Sequence, residues 1–406
     1  MEYIKGTPYF GSNKSKRIKQ YSYLDKDIKC DILIIGGGID GAIANYYLSK
    51  KYNVALVDKS RLGMGCTSCA TALLEYQLDN FAKILESYLS KSDICDIYHL
   101  GLNSIEKLEE FVKINGNHCF FSNRPTFLFS TSDFDLTSIK NEYLFRKENG
   151  FPCNFITKEN NPFNFELSCG LYAENGGAEL DPYLFTKQLI ESSTNQKNIF
   201  ENTKINKIIK KNNEYICETS FKNTITAKNV ILATGFNFDL VKNNKLCTKY
   251  TSYTIVTNPL PELKWFNMAL IQDSLSPYHY LRFLPDNRII FGGEDTILKK
   301  SISQKTAQKK YEKLLATLRN LFPIFKSKIK AEYKFCGAFG STKNNLGLIG
   351  KDEKGVIYFI SCGANGIINA MAGVDILDDI LNGKTSRFEK FFSPQRWIWM
   401  ITSQPI

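Results

Sequence analysis

A chain of 406 residues is long enough for two cores of ordinary size, and 43% hydrophobic with 23% charged residues is a globular balance that excludes a disordered chain. The net charge of +11 would suit an anionic partner, but the lysines are scattered and neither zinc-finger spacing nor an aromatic–basic RNA-binding run occurs, so no nucleic-acid partner is expected. Eleven cysteines in so long a chain do not make a disulfide scaffold, residues 1 to 20 hold no secretory apolar core, and no apolar run reaches the roughly 18 residues of a membrane span, so the expectation is a cytoplasmic protein with free thiols and no membrane span.

Taken in chain order, residues 1–29 are polar and read as an arm with little structure of its own. Ile32-Leu33-Ile34-Ile35 is an apolar run without alternation, as expected of a parallel strand buried on both faces. A glycine-rich turn follows, then helical character from Ala42 to Lys51 and a second buried strand from Asn53 to Asp58, which completes a β-α-β unit. Residues 61–79 read as a Gly/Cys/Thr/Ser-rich loop leading into a helix, and the apolar spacing of 93–114 is helical. Short β-rich runs follow from His118 to Thr131. Residues 181–192 predict a helix with Pro182 in its first turn, and 199–235 predict strands ending at Leu232-Ala233-Thr234-Gly235. Residues 250–294 are β-rich, with a hairpin from Tyr278 to Gly293 turning at Pro285-Asp286-Asn287. Residues 303–321 form an amphipathic helix, and 335–381 a strand, a glycine-rich turn and a helix.

The expected fold class is α/β: a Rossmann-like domain built from separated segments (30–115, 176–245 and 334–406) with a mostly antiparallel β-sheet substrate domain (116–175 and 246–333) inserted into it. The turn after the first strand reads Gly36-x-Gly38-x-x-Gly41. Gly36 permits the tight turn, Gly38 lets backbone approach a pyrophosphate, and Gly41 lets helix and strand pack closely. The pyrophosphate would meet free N–H groups at the helix N-terminus. Asp58 ends the second strand, with Lys59 beside it, where a carboxylate should accept hydrogen bonds from ribose hydroxyls; an acid there argues against a 2′-phosphate. No second fingerprint occurs, so one dinucleotide site is expected.

Four further segments resemble the D-amino-acid oxidase-like family of FAD-dependent oxidoreductases. Gly63-Met-Gly-Cys-Thr-Ser-Cys-Ala-Thr71 resembles the loop under the flavin ribityl and ring. Ala233-Thr234-Gly235 is similar to the segment that closes on FAD. Phe335 to Gly350 resembles the family's pattern of aromatic, Gly, Arg, Thr, Asp, Pro and Ile-Gly, and Ser361-Cys-Gly-Ala-Asn-Gly-Ile367 resembles the glycine-rich turn that faces the flavin pyrimidine end. The resemblance implies non-covalently bound FAD and a cofactor set of Gly36, Gly38, Gly41, Asp58, Lys59, Cys66, Thr67, Ser68, Thr71, Ile205, Thr234, Gly235, Gly337, Gly350, Gly363, Ala364, Asn365, Gly366 and Ile367. A helix N-terminus after Gly363 to Gly366 would stabilise negative charge on a reduced flavin. The chain departs from the pattern at Phe339, where amino-acid-oxidising members often carry Arg, and at Asn344 and Gly347, which replace Asp and Pro. Gly337 stands where some relatives have the cysteine that tethers FAD, and Cys336 is one residue away.

Cys66-x-x-Cys69 lies inside the flavin loop, where small residues permit close approach; with three histidines in the chain no metal site is expected. The flavin accepts hydride, so the protein needs few reacting groups. The implied activity is an FAD-dependent oxidoreductase taking hydride from a small amine or amino acid, with the electron acceptor undefined. A hydroxy-acid or polyol-phosphate dehydrogenase and a non-catalytic flavin-binding subunit stand as alternatives. In the strand from Tyr278 to Phe283, Tyr278, Tyr280 and Arg282 share one face, so Tyr280 and Arg282 are the expected catalytic pair, Arg282 holding a substrate carboxylate bidentately. A structural ion pair with Asp286, Glu294 or Asp295 is the competing role for Arg282.

Overall fold

The computed structural model describes residues 3–12, 19–240, 246–299, 301–363 and 365–396. The chain divides into two compact units, one of Met1–Ser12, Cys69–Asp181 and Lys249–Ala338, the other of Asn13–Ser68, Pro182–Thr248 and Phe339–Ile406.

The second unit is built on a sheet whose strand order is Leu348–Lys351, Ile357–Ile360, Thr224–Leu232, Ile28–Ile35, Val54–Val57, Ile199–Phe200. All neighbours after the first pair run parallel, and a hairpin of Ile205–Lys211 and Glu214–Thr219 adds antiparallel strands to Thr224–Leu232. Ile32 to Ile35 and Val54 to Val57 are buried throughout, which is why their sequences do not alternate. The helix Ile39–Leu48 packs against Pro182–Glu191 and Gly366–Leu381. This is the Rossmann-like arrangement expected, assembled from three separated segments.

The first unit is a mostly antiparallel sheet ordered Ile4–Gly6, Ala331–Ser341, Thr248–Thr257, Ile289–Ile297, His279–Phe283, Leu270–Asp273, Ser122–Ser130, Cys169–Glu179, Leu73–Glu75; one pair, Leu270–Asp273 with Ser122–Ser130, is parallel. The helix Gln304–Leu321, capped by the Ser303 side chain, lays Ala307, Tyr311, Leu314 and Leu318 on one sheet face. There they meet Tyr253, Ile255, Leu281, Phe283, Ile289 and Phe291, with Trp265 stacked on Phe283 at 3.8 Å. The hairpin turn sits where expected: Leu284 N–H donates to the Arg288 carbonyl at 2.8 Å, and Asn287 takes the left-handed conformation at φ +60°.

Three expectations change. The arm is not featureless: Ile4–Gly6 pairs with Phe335 to Gly337. Thr71 to Leu74 does not enter a helix, because Leu73–Glu75 becomes a sheet edge opposite Gly177 to Glu179. For the same reason the first boundary falls at Ser68/Cys69 instead of 115/116, since the helix Lys91–Asn115 packs on the strand Cys169–Glu179 and belongs with that sheet.

Candidate active site

In the parallel-sheet unit the strand Ile28–Ile35 delivers the chain into Gly36, which has φ +111° and bonds through its N–H to the Val57 carbonyl at 2.8 Å. The helix Ile39–Leu48 starts at once, with Gly38 as its N-cap. A Cβ at position 41 would lie 1.8 Å from the Gly36 carbonyl oxygen, and one at position 37 would lie 1.9 Å from Leu62 Cδ2. The glycines are therefore required by close packing of the turn, as the fingerprint implies. Asp58 accepts from Gly37 N–H at 2.7 Å, Ser60 N–H at 2.8 Å and Ser60 Oγ at 3.1 Å. Burial pushes its pKa up against those hydrogen bonds. A carboxylate has about four acceptor positions, so one remains for a ribose hydroxyl. The residues fit a dinucleotide.

Asp58→Ala removes that acceptor and strips partners from two backbone donors. The FAD dissociation constant, followed by flavin fluorescence, is expected to rise about ten- to a hundredfold, from about 1.5–3 kcal/mol of charged hydrogen bonding. Unchanged affinity would contradict the assignment.

The loop expected to run beneath a flavin is tied to the same helix. Thr67 Oγ1 accepts from Ile39 N–H at 3.1 Å, and Ser68 donates to the Gly65 carbonyl at 2.9 Å. Cys66 opens a short 3₁₀ turn, Cys66–Cys69, and burial pushes its thiol up to about 11, which keeps it protonated and disfavours a dithiol role. Lys59 is exposed.

At the other edge of the cradle, Gly235 takes φ +58° and Thr234 Oγ1 donates to the Asn237 carbonyl at 2.7 Å. Gly363, at φ +87°, donates to the Gly340 carbonyl at 2.9 Å, and the helix Gly366–Leu381 begins after Asn365, which gives no side-chain cap; Ile367 is buried behind it. Ala364 lies outside the described residues. Sequence reasoning missed Asp40. It is buried in the first turn of Ile39–Leu48 and accepts from both the N–H, at 3.1 Å, and the hydroxyl of Ser361, so it pins the fingerprint helix to the second glycine-rich turn. Burial pushes its carboxyl up to about 7 despite those bonds. An acid inside the fingerprint was the signal available; its partner lies 321 positions away.

Other members of the expected set have structural surroundings. Ile205 is buried at the start of a hairpin strand, two residues past Thr203, whose N–H bonds the Asp58 carbonyl at 2.7 Å. Gly350 makes room for Pro394, whose Cδ would lie 2.9 Å from a Cβ there. In the antiparallel-sheet unit Gly337 makes room for Cys69, at 2.8 Å on the same measure. The Thr71 carbonyl accepts from Arg282.

Arg282 is the main correction. It shares a face with Tyr280, as alternation requires, but it is 2% exposed and spends its donors on protein. Nε donates to the Thr71 carbonyl at 2.7 Å, one terminal nitrogen to the Leu180 carbonyl at 2.8 Å, and the other to the Glu179 carboxylate and the Phe283 carbonyl, both at 3.3 Å. It cannot also hold a substrate carboxylate bidentately. The competing structural role is the one observed, with Glu179 as partner in place of the three acids considered. Tyr280 hydrogen-bonds Ser252 at 2.9 Å, beside Tyr278 and Asp295. Burial pushes Asp295 up to about 6 and Glu75 up to about 7.

The sequence model of the family described as "DAO: FAD dependent oxidoreductase" matches residues 31–379. The chain belongs to that family. This FAD-dependent oxidoreductase is 22% identical over 97% of its length to the Rieske 2Fe-2S iron-sulfur protein YhfW of Bacillus subtilis, covering 77% of it. It is 20% identical over 94% of its length to γ-glutamylputrescine oxidoreductase of Escherichia coli, covering 90% of it. Glycine oxidase from Geobacillus kaustophilus superposes with a TM-score of 0.76 at 19% identity, over 91% of this chain and 99% of that one, and shares its fold. Among the described residues no helix is long and apolar enough to cross a membrane, and no group of three or more His, Cys, Asp or Glu could hold a metal ion.

Proposed function

We propose that this oxidoreductase binds FAD non-covalently and oxidises a small amine, in a reducing compartment where its cysteines stay free. When bound, FAD accepts the hydride lost from the substrate carbon. The chain's own contribution is to hold and orient. Gly36 to Gly41 admit the pyrophosphate, Asp58 holds the ribose, and the helix beginning at Gly366 offers N–H groups to negative charge. Non-covalent attachment is supported by Cys336, which is buried in the apolar core of the antiparallel-sheet unit and hydrogen-bonded to Tyr311.

The observation that carries the amine reading is the commitment of Arg282 to Glu179 and three carbonyls. With Phe339 in place of the family's arginine, neither of these two positions offers an α-carboxylate or a phosphate a free cation. An amine needs no such anchor. The names of the glycine oxidase and the γ-glutamylputrescine oxidoreductase are consistent with nitrogen-bearing substrates.

The test is anaerobic mixing of the FAD-loaded protein with panels of amines, amino acids and polyol phosphates while flavin absorbance is followed. Bleaching by amines is the expected result. Bleaching by polyol phosphates alone would replace this reading with the dehydrogenase alternative, and bleaching by none would favour a non-catalytic flavin-binding subunit.

A further inference from the structure

The sheet face opposite the Gln304–Leu321 helix has a chemistry that the amine reading alone does not require. The strand Ile289–Ile297 carries a bulge there, with Glu294 in the left-handed conformation at φ +59°. Glu294 points to the helix side, pairing with Lys310 at 2.7 Å, Lys313 at 2.6 Å and His279 at 3.1 Å, and Thr296 bonds the Tyr253 hydroxyl at 3.0 Å on that side. Burial works against the charge on Glu294, and those three donors outweigh it, holding the carboxyl at about 2. Asp295, between them, is directed instead to Ser252 and Tyr280. It shares Ser252 with Tyr280, whose hydroxyl lies 2.9 Å from Ser252 Oγ. The pairing register shifts between Thr251 and Tyr253, opposite Gly293 to Thr296, a bulge of the kind that re-aims side chains.

Two polar groups on this face are left without protein partners. Asp295 Oδ1 is buried and has no hydrogen bond. Tyr278 is also deeply placed, its ring 5.9 Å from that of Tyr280, and among the described residues its hydroxyl makes no hydrogen bond; the charges around it are Asp79, Asp295 and Glu75. Glu75 accepts from Gln77 Nε2 at 2.8 Å, and Lys310, whose charge Asp295 feels, bonds Glu294 at 2.7 Å. Two phenol rings, an unmet carboxylate oxygen and two further acids make a recognition surface for a cation: ring faces attract ammonium, and the carboxylates accept its N–H groups.

Resting on the amine reading above, we infer that the substrate is an aliphatic amine carrying a second, cationic nitrogen, which the Tyr278, Tyr280 and Asp295 face recognises with Glu75 and Asp79. Asp295 is the specificity-determining residue. A monoamine lacks the group this face binds, and an amino acid presents a carboxylate to three acids.

The test is calorimetric titration of diaminopropane, propylamine and glycine into the FAD-loaded full chain, with anaerobic flavin bleaching measured in parallel. Diaminopropane is expected to bind at least about tenfold more tightly than propylamine, the low end for a desolvated charge pair. Asp295→Asn should erase that preference while FAD content and thermal midpoint are retained. Glu75→Gln should reduce it and serves if the first variant does not fold. Equal binding of the two amines, tighter binding of glycine, or a preference that survives in the folded variants would overturn the inference. Bleaching by propylamine without bleaching by the diamine would sink this inference alone, and bleaching by glycine alone would take the amine reading down as well. Failure of all three compounds to bind or bleach would take the amine reading down with it.

Discussion

Gly41→Val is expected to abolish FAD uptake. A Cβ at position 41 falls 1.8 Å from the Gly36 carbonyl oxygen and 2.9 Å from its carbonyl carbon, and both atoms are backbone. Neither can swing aside as a side chain would, so the helix Ile39–Leu48 has to move off the strand Ile28–Ile35. The Gly36 carbonyl is fixed in turn, because its N–H bonds Val57 at 2.8 Å and its own Cα is hemmed in by the Ala233 carbonyl, 2.3 Å from a Cβ built there. Valine adds two further carbons at the same point. A helix shifted by even an ångström loses the alignment of its first N–H groups with the pyrophosphate. Overpacking of this kind costs about 1–3 kcal/mol of stability, which a domain of ordinary stability survives. The expected variant is therefore folded, with a lowered thermal midpoint, and colourless. A yellow Gly41→Val protein with native flavin content would contradict the placement of the cofactor.

Arg282→Leu is expected to act on stability. The guanidinium is buried among Glu179, Leu180, Phe283 and Thr71, and burial lowers its pKa while Glu179 and Asp181 favour its charge. Its removal leaves the Thr71 and Leu180 carbonyls without their donor and Glu179 with Arg124, at 2.8 Å, as its remaining ion-pair partner. Breaking a buried pair by deleting one member costs about 3–5 kcal/mol; the presence of Arg124 places the expected loss near the lower end. Chemical denaturation should show it as a drop in midpoint. Because Thr71 and Glu179 flank the paired strands Leu73–Glu75 and Cys169–Glu179, the sheet edge should loosen first. Native stability together with a specific loss of substrate binding would restore Arg282 to the role of substrate anchor.

The contrast between these two residues shows what was legible in the sequence. The cradle could be read because its parts are local: a buried strand, three glycines and an acid at the end of the next strand lie between Ile32 and Asp58, and each has a task that only its residue type performs. Alternation along Tyr278 to Phe283 was local as well: it put Tyr280 and Arg282 on one face, and Leu281 and Phe283, on the other, lie in the core. The partners of Arg282 were not local. Glu179 lies 103 positions away and Thr71 lies 211 away, so nothing near residue 282 distinguished a substrate anchor from a structural cation. Asp40 was hidden in the same way, its meaning fixed by Ser361. The Leu73–Glu75 edge was misread because Thr-Ala-Leu-Leu has helical propensity, and pairing with Gly177 to Glu179 overrides it.

The measurement that bears most directly on the whole account is acid precipitation of the purified full-length protein, with the supernatant assayed for flavin. The expected result is a yellow protein that releases intact FAD, equimolar with the chain, and leaves a white pellet. A yellow pellet would contradict non-covalent binding, and a colourless protein that fails to take up added FAD would contradict the reading of Gly36 to Asp58 on which the rest is built.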